Sequence, residues 1–213
     1  MPERIGEWIG MADGRRFWPL DPRPEEVDAT DIAHSLARTC RFAGRCERFY
    51  SVAQHSVLVA RLVRGAGVDD RELLLQALLH DAAEAYLGDI IRPVKGALWV
   101  ERDGYFESFA TTEARLLGCI RARFGLRKLS AEAGSLIKAA DDVALATEAR
   151  DLMGDPRWPG LPAPIAEAVV PVPPVLAQRQ FEHLLEQLTH TGEPEPSPMR
   201  GRRGGAPDPR SSD

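Results

Sequence analysis

All-α is the fold class the sequence predicts. Three observations carry it: apolar residues recur three and four apart through most of the chain, helix-starting and helix-ending residues bracket those stretches, and no alternating run sits between hairpin turns. The first 27 residues form an irregular arm holding Gly6, Gly10, Gly14, Pro19, Pro22 and Pro24, and its Trp8, Phe17 and Trp18 are expected to dock on the body. Asp28-Ala29-Thr30-Asp31 offers helix-start chemistry for a short helix through about Thr39. From Ser51 onward, Val52, His55, Val59, Leu62 and Val63 line one face of a second helix, which Gly65 and Gly67 end. Asp69-Asp70 opens a third with negative charge at the positive end of the helix dipole, and Leu73, Leu74, Ala77, Leu78 and Ala85 carry it to Gly88. Ile91-Arg92-Pro93 predicts an extended turn. A long helix over roughly 98–124 comes next, with Tyr105, Phe109, Leu116, Leu117 and Ile120 expected in the core and Gly125 closing it. Ser130-Ala131-Glu132 starts another that runs to about Met153. The seven prolines from Pro156 to Pro174 make a surface loop, and a last helix covers about 174–188. Ala168-Val169-Val170 is strand-like, but Pro171 cuts it short.

A chain of 213 residues, 44% hydrophobic and 28% charged, has the balance of one globular domain. No run approaches ~18 apolar residues, and Met1-Pro2-Glu3-Arg4 lacks the basic patch and apolar stretch of a signal peptide. Neither a membrane span nor a membrane partner is expected. A net charge of −5 and a pI near 5.6 leave no electrostatic footprint for a nucleic-acid backbone. Cys40, Cys46 and Cys119 form no C-x-x-C pair, so neither a disulfide framework nor a cysteine zinc site is indicated, and a reducing, cytoplasmic compartment is the simplest reading. One domain is therefore expected over 28–190, between the arm at 1–27 and a tail at 191–213. The five Pro and four Gly of the tail, with almost nothing apolar, predict disorder.

Three of the predicted helices carry ionisable residues on faces that should be core. His55 sits three after Val52 and four before Val59; His80 and Asp81 follow the apolar run 73–79; Asp141 lies four after Ile137 and four before Leu145. A buried histidine or carboxylate costs on the order of several kcal/mol unless paired, hydrogen-bonded or metal-bound. A lone one is usually a satisfied core residue. Two His and two Asp on three apolar faces can converge, and together they suit one borderline divalent metal ion. Asp142, four after Lys138, has the spacing of a solvent-side ion pair, which leaves Asp141 as the ligand. Glu84 projects from the same side as His80 one turn later, where a carboxylate can orient a water or move its proton. Asp89, just past Gly88, reads either as a leaving-group acid or as a turn residue. Arg41, Arg45 and Arg48 have the helix-like spacing of a solvated face, and His34 reads either as a phosphate-pocket residue or as a structural histidine. Glu148, two turns past Asp141, is expected to pair with a buried Arg, and His183 and His190 are given no role.

The order His55, His80-Asp81, Asp141 resembles the H…HD…D pattern of HD-domain metal-dependent phosphohydrolases, over about residues 28–155. Within that superfamily it looks nearest to the 5′-deoxynucleotidase-like branch. Ser51-Val52-Ala53-Gln54-His55-Ser56 resembles that branch's A-E-H-S segment, with Gln54 for the usual Glu. His80-Asp81-Ala82-Ala83-Glu84, Gly88-Asp89 and Pro93-Val94-Lys95 resemble its H-D-x-x-E, G-D and P-V-K elements, and Lys138-Ala139-Ala140-Asp141 resembles its K-x-A-D segment. Arg41-Phe42 stands about where the branch has an Arg-Trp pair; Phe keeps a stacking face and loses the indole N–H. The arm and the Cys40 to Cys46 loop have no counterpart there, which points to a sister subfamily with a different substrate.

The resemblance implies a helical bundle around one divalent ion held by His55, His80, Asp81 and Asp141; a donor set of two His and two carboxylates accepts Mn, Co, Fe, Ni or Zn. It implies Glu84 acting on the attacking water, Asp89 on the leaving alkoxide or the sugar, Arg41 and Lys95 on phosphate, and Phe42 on sugar or base. The implied activity is hydrolysis of (deoxy)nucleoside 5′-monophosphates. The alternative enzyme is an HD-type phosphodiesterase or nucleotide pyro/triphosphohydrolase, and the alternative from another class is a nucleotide-binding module on an HD core. Family members are often homodimers.

Overall fold

The computed structural model describes residues 4–154 and 158–189, so the expected disordered tail at 191–213, and His190, lie outside the described residues. In chain order the elements are β1 (Ile9–Gly10), β2 (Arg16–Phe17), α1 (Ala29–Arg38), α2 (Val52–Gly65), α3 (Arg71–Leu78), α4 (Glu84–Leu87), α5 (Arg92–Lys95), β3 (Trp99–Arg102), β4 (Tyr105–Ser108), α6 (Phe109–Arg123), α7 (Ala131–Leu152) and α8 (Pro174–Thr189).

The longer helices start where their capping residues stand. Asp28 accepts from the backbone N–H of Thr30 and Asp31, Ser51 from Gln54, Asp70 from Glu72 and Leu73, and Ser130 from Ala133. Each satisfies N–H groups that the first turn of a helix leaves without a partner. α2 is the central element and packs against α1, α3, α7 and α8. Ile32, Leu36, Val52, Val59, Leu78, Leu116 and Phe181 are among the fully buried core, each contributing about 1.5–3 kcal/mol by leaving water. The described part of the proline-rich segment after α7 holds no strand, as expected from Pro171.

The chain is mostly helical, but the all-α expectation is corrected by two small antiparallel sheets, β1–β2 and β3–β4. The second replaces the first turns of the helix expected over 98–124. Arg102 pairs with Tyr105 across Asp103-Gly104, whose φ values of 53° and 79° are both positive, as a tight hairpin turn requires. Trp99, Val100, Tyr105 and Phe106 are strand-forming types on either side of it. α6 begins only after Ser108, whose side chain accepts from the N–H of Thr111. Tyr105, expected in the core, is therefore exposed on the hairpin, whereas Phe109, Leu116 and Ile120 are buried.

Two further corrections fall beside the histidine–aspartate pair. The helix expected to continue to Gly88 breaks after Leu78 into tight turns, Ala82 N–H to Leu79 C=O and Glu84 N–H to Asp81 C=O, before α4 resumes. The physical reason is local: the His80 ring nitrogen Nδ1 lies 2.8 Å from the Ala77 carbonyl, the group a continuing helix would offer to the N–H of Asp81. At Ile91-Arg92-Pro93 only Ile91 is extended; Arg92 already starts α5, because proline at the second helical position gives up an N–H that has no helical partner.

The arm docks as expected at Phe17, which is buried with its ring 4.0 Å from that of Tyr86 in α4. Arg15 clamps it to α1 through Asp31 at 2.7 Å. Trp18 lies under the Arg4 guanidinium, while Trp8 stays half-exposed beside Arg16.

Candidate metal centre

His55 is wholly buried on α2, and its two ring nitrogens have different surroundings. Nδ1 lies 2.7 Å from Oε1 of Glu148 on α7, a carboxylate that also accepts from Tyr50 Oη at 3.0 Å and Arg41 Nε at 3.1 Å. A carboxylate only accepts, so Nδ1 carries a proton and Nε2 is the nitrogen left to bind a metal. His80 is set the same way by a different partner: its Nδ1 donates to the Ala77 carbonyl. Both Nε2 atoms are buried and make no hydrogen bond among the described residues.

These two nitrogens face the same carboxylates. His55 Nε2 is 3.3 Å from Asp141 Oδ1 and 3.5 Å from Asp81 Oδ2; His80 Nε2 is 3.2 Å from Asp81 Oδ2. Ligand atoms of His55, His80 and Asp141 all lie within 4.8 Å of one another. Donors at about 2.1 Å from one ion sit roughly 3.0 to 3.4 Å apart when adjacent around it. Carboxylates at such separations from His55 Nε2 favour positive charge there, be it a proton or a metal ion that displaces it. The cluster can therefore hold a metal ion. It opens to solvent along Asp81, Asp141 and His80, while His55 and Glu148 form its floor.

The electrostatics agree. Burial and the neighbouring Arg41 disfavour charge on His55, yet Glu148, Asp141 and Asp81 outweigh them and push its pKa well above the ordinary range. Burial opposes ionisation of Asp141 and Asp81 too, but His55 beside Asp141, and His80 and His55 beside Asp81, hold both below the usual carboxylate range. The cluster is built to attract positive charge. Asp142 keeps the expected solvent side with Lys138, whose ammonium also reaches Asp141 at 3.4 Å.

The other candidate residues are placed unevenly. Arg41 is buried, contrary to the solvated face that its spacing suggested: residues 41–44 are a tight turn, not part of a helix. Its Nε bonds Glu148 and its Nη1 stands 3.6 Å from Asp81 Oδ2, so the guanidinium borders the cluster. Phe42 and Ala43 take left-handed backbone angles, φ 57° and 49°, at a cost of about 1–3 kcal/mol apiece. Phe42 lies next to Arg41, with its ring 6.1 Å from that of Trp158. Glu84 is buried, and burial, reinforced by Asp81 and Asp89, pushes its pKa up to about 9. Burial also raises Asp89, while Arg41 and the backbone N–H of Phe42 partly offset it.

Lys95 feels Glu84 and Asp81, but its ammonium is bonded to Glu113. His34 is half-buried on α1 with Asp31 as its charged neighbour, and no described contact joins it to the cluster. Gln54, where the resembled branch has Glu, is occupied elsewhere: its amide bonds the Val170 carbonyl and the Val172 N–H, pinning the proline-rich segment to α2.

Sequence reasoning gave Glu148 its Arg partner but missed that it also orients His55; the seven-residue step from Asp141 along one helix stripe was the available signal. Trp158 carried no such signal. A cavity of about 350 Å³ between the arm and the β3–β4 hairpin, bordered by Ile5, Leu20, Glu101 and Arg102 among others, shares no residue with the cluster. No described helix is long and apolar enough to cross a membrane.

Fold and site together define a mostly helical protein with a buried imidazole–carboxylate cluster able to hold a metal ion. No known protein-family profile matches the chain. Among curated proteins it is similar to RCAP_rcc00048 of Rhodobacter capsulatus, 43% identical over 152 residues that cover 69% of this chain and 74% of that one. It is also similar to YfdR of Escherichia coli (strain K12), 35% identical over 187 residues that cover 85% of this chain and 96% of that one. Both relatives are described as uncharacterized proteins. The chain belongs to the family of YfdR and RCAP_rcc00048.

Proposed function

We propose that the chain is an HD-type metal-dependent phosphohydrolase that removes the phosphate of (deoxy)nucleoside 5′-monophosphates. The observation that carries this reading is the pair of buried Nε2 atoms, each freed by a hydrogen bond at Nδ1 and each facing Asp81 or Asp141. His55, His80, Asp81 and Asp141 would hold one divalent ion, and two imidazoles with two carboxylates suit Mn, Co, Fe, Ni or Zn. Such an ion, when bound, supplies a Lewis acid for the phosphoryl group and lowers the pKa of water.

The chain's own residues would do the rest. Arg41, held by Glu148 at Nε, presents its guanidinium beside Asp81, where non-bridging phosphate oxygens would sit. Glu84 would accept the proton of the attacking water once ionised: burial, reinforced by Asp81 and Asp89, holds it protonated, and positive charge beside Asp81 counters the part those carboxylates contribute. Asp89, beside Arg41 and the Phe42 N–H, would be the group that passes a proton to the leaving alkoxide as the phosphorus–oxygen bond breaks. Phe42 and Trp158 offer ring faces for the base or sugar beside Arg41. Lys95, ion-paired with Glu113, adds positive charge near Glu84 and Asp81.

The test is a phosphate-release screen over nucleoside monophosphates, triphosphates and cyclic nucleotides with each of these metals. Release from 5′-monophosphates alone supports the reading. Release confined to triphosphates or cyclic nucleotides, or none with any metal, overturns it.

A further inference from the structure

Cys40 and Cys46 stand on either side of the turn that carries Arg41 and Phe42. Both are half-buried and reduced, and their sulfurs are 3.8 Å apart. The surrounding backbone holds them in that position. Cys40 is bridged to Ser51; Arg41 N–H donates to the Tyr50 carbonyl, Val52 N–H to Thr39, and Glu47 N–H to Leu152. Between the two thiols the chain reverses through three successive residues with positive φ, Phe42, Ala43 and Gly44, and the Cys46 thiol lies 3.6 Å from the Arg41 carbonyl. A disulfide bond is about 2.05 Å long, so the two sulfurs need to approach by only about 1.8 Å.

We propose that Cys40 and Cys46 are a reversible thiol–disulfide pair that closes a ring around Arg41 and Phe42. The oxidant is a small-molecule disulfide of the glutathione type. One cysteine thiolate attacks a sulfur of it, forming a mixed disulfide and releasing one thiol; the other cysteine then displaces the second thiol. Two electrons pass to the oxidant, and each cysteine gives up its proton. Pairs of this kind in reducing compartments are redox-sensing rather than structural. The bearing of the pair on the site rests on the reading given above. Closure breaks the Cys46 contact with the Arg41 carbonyl and pulls on the turn whose side chains border Asp81, while His55, His80 and Asp141 lie on other elements. Oxidation is therefore expected to change substrate handling and to leave metal content alone.

The experiment equilibrates the whole protein in glutathione buffers from reducing to oxidising, quenches with acid, alkylates and digests with trypsin. Cleavage after Arg41 and Arg45 leaves the two cysteines on separate peptides, so the bond appears as a linked pair. The expected result is one Cys40–Cys46 link that forms with oxidation, disappears with dithiothreitol and is absent in Cys46→Ser, with Cys119 unlinked. In the oxidised protein KM for a nucleoside monophosphate is expected to rise at least threefold at unchanged metal content, and Cys46→Ser keeps its activity without that response. Both cysteines alkylated across the whole range, or each stably carrying glutathione, overturn the pair. A clean link with unchanged KM overturns its bearing on the site. Failure of phosphate release in both redox states refutes the functional reading alone, because the linked peptide decides the thiol pair without it.

Discussion

Glu148 decides which nitrogen His55 offers. It is wholly buried, and its carboxylate takes three donors, from Arg41, Tyr50 and His55. In Glu148→Gln the amide keeps one accepting oxygen and turns an N–H₂ towards a group that itself donates. Metal affinity is expected to fall about 10–100-fold, as for other residues that orient a ligating histidine. Stability is expected to fall by at most about 3–5 kcal/mol, because the buried charge of Arg41 loses its nearer partner and keeps only Asp81 at 3.6 Å. Calorimetric metal titration and thermal melting check the two. The same surroundings fix a pH dependence. The pKa of His55 is raised by Glu148, Asp141 and Asp81 over the opposition of burial and Arg41, and below that pKa its Nε2 carries a proton that a metal must displace. Apparent metal affinity is therefore full above the raised pKa and falls on acidification, by about tenfold per pH unit for each proton displaced. Metal titration at a series of pH values measures it, and an affinity that rises on acidification contradicts the assignment.

Elements follow from the same local competition. α3 ends because the His80 ring takes the Ala77 carbonyl, and α4 ends at Gly88, whose φ of 77° and ψ of 161° belong to a region that only glycine enters freely. A Cβ there would meet no atom within 4 Å, so Gly88→Ala is expected to cost about 1–3 kcal/mol through the backbone alone, read as a lower urea midpoint with an unchanged slope. What the sequence disclosed and what it concealed divide along this line. The caps at Asp28, Ser51, Asp70 and Ser130 are short-range chemistry and were legible, as were the inward faces of His55 and Asp141. The helix break at His80 depends on a side chain bonding its own backbone, which periodicity does not register. The β3–β4 hairpin was legible in principle from Asp103-Gly104 between strand-forming residues, but the apolar spacing from Leu98 onward imitates a helix. Arg41 read as solvated because its partners, Glu148 and Asp81, come from remote stretches of chain.

At the scale of the whole molecule, the arm is part of the body that supports the site. Phe17 stacks on Tyr86 in α4, the helix that Glu84 begins, and Arg15 ties the arm to Asp31. Phe17→Ala is expected to destabilise the protein by about 3–5 kcal/mol in a single cooperative transition; a small loss confined to an early minor transition would show the arm to be an independent appendage. The fold as a whole brings α2, the turn after α3 and α7 together around the Nε2 atoms of His55 and His80. The most direct test of that claim is metal content after dialysis against each of Mn, Co, Fe, Ni and Zn, with far-ultraviolet circular dichroism on the same samples. One tightly held ion per chain, lost in Asp81→Ala and in Asp141→Ala while the helical signal persists, is the expected result. A wild-type chain that retains none of these metals, or variants that retain it undiminished, would contradict it.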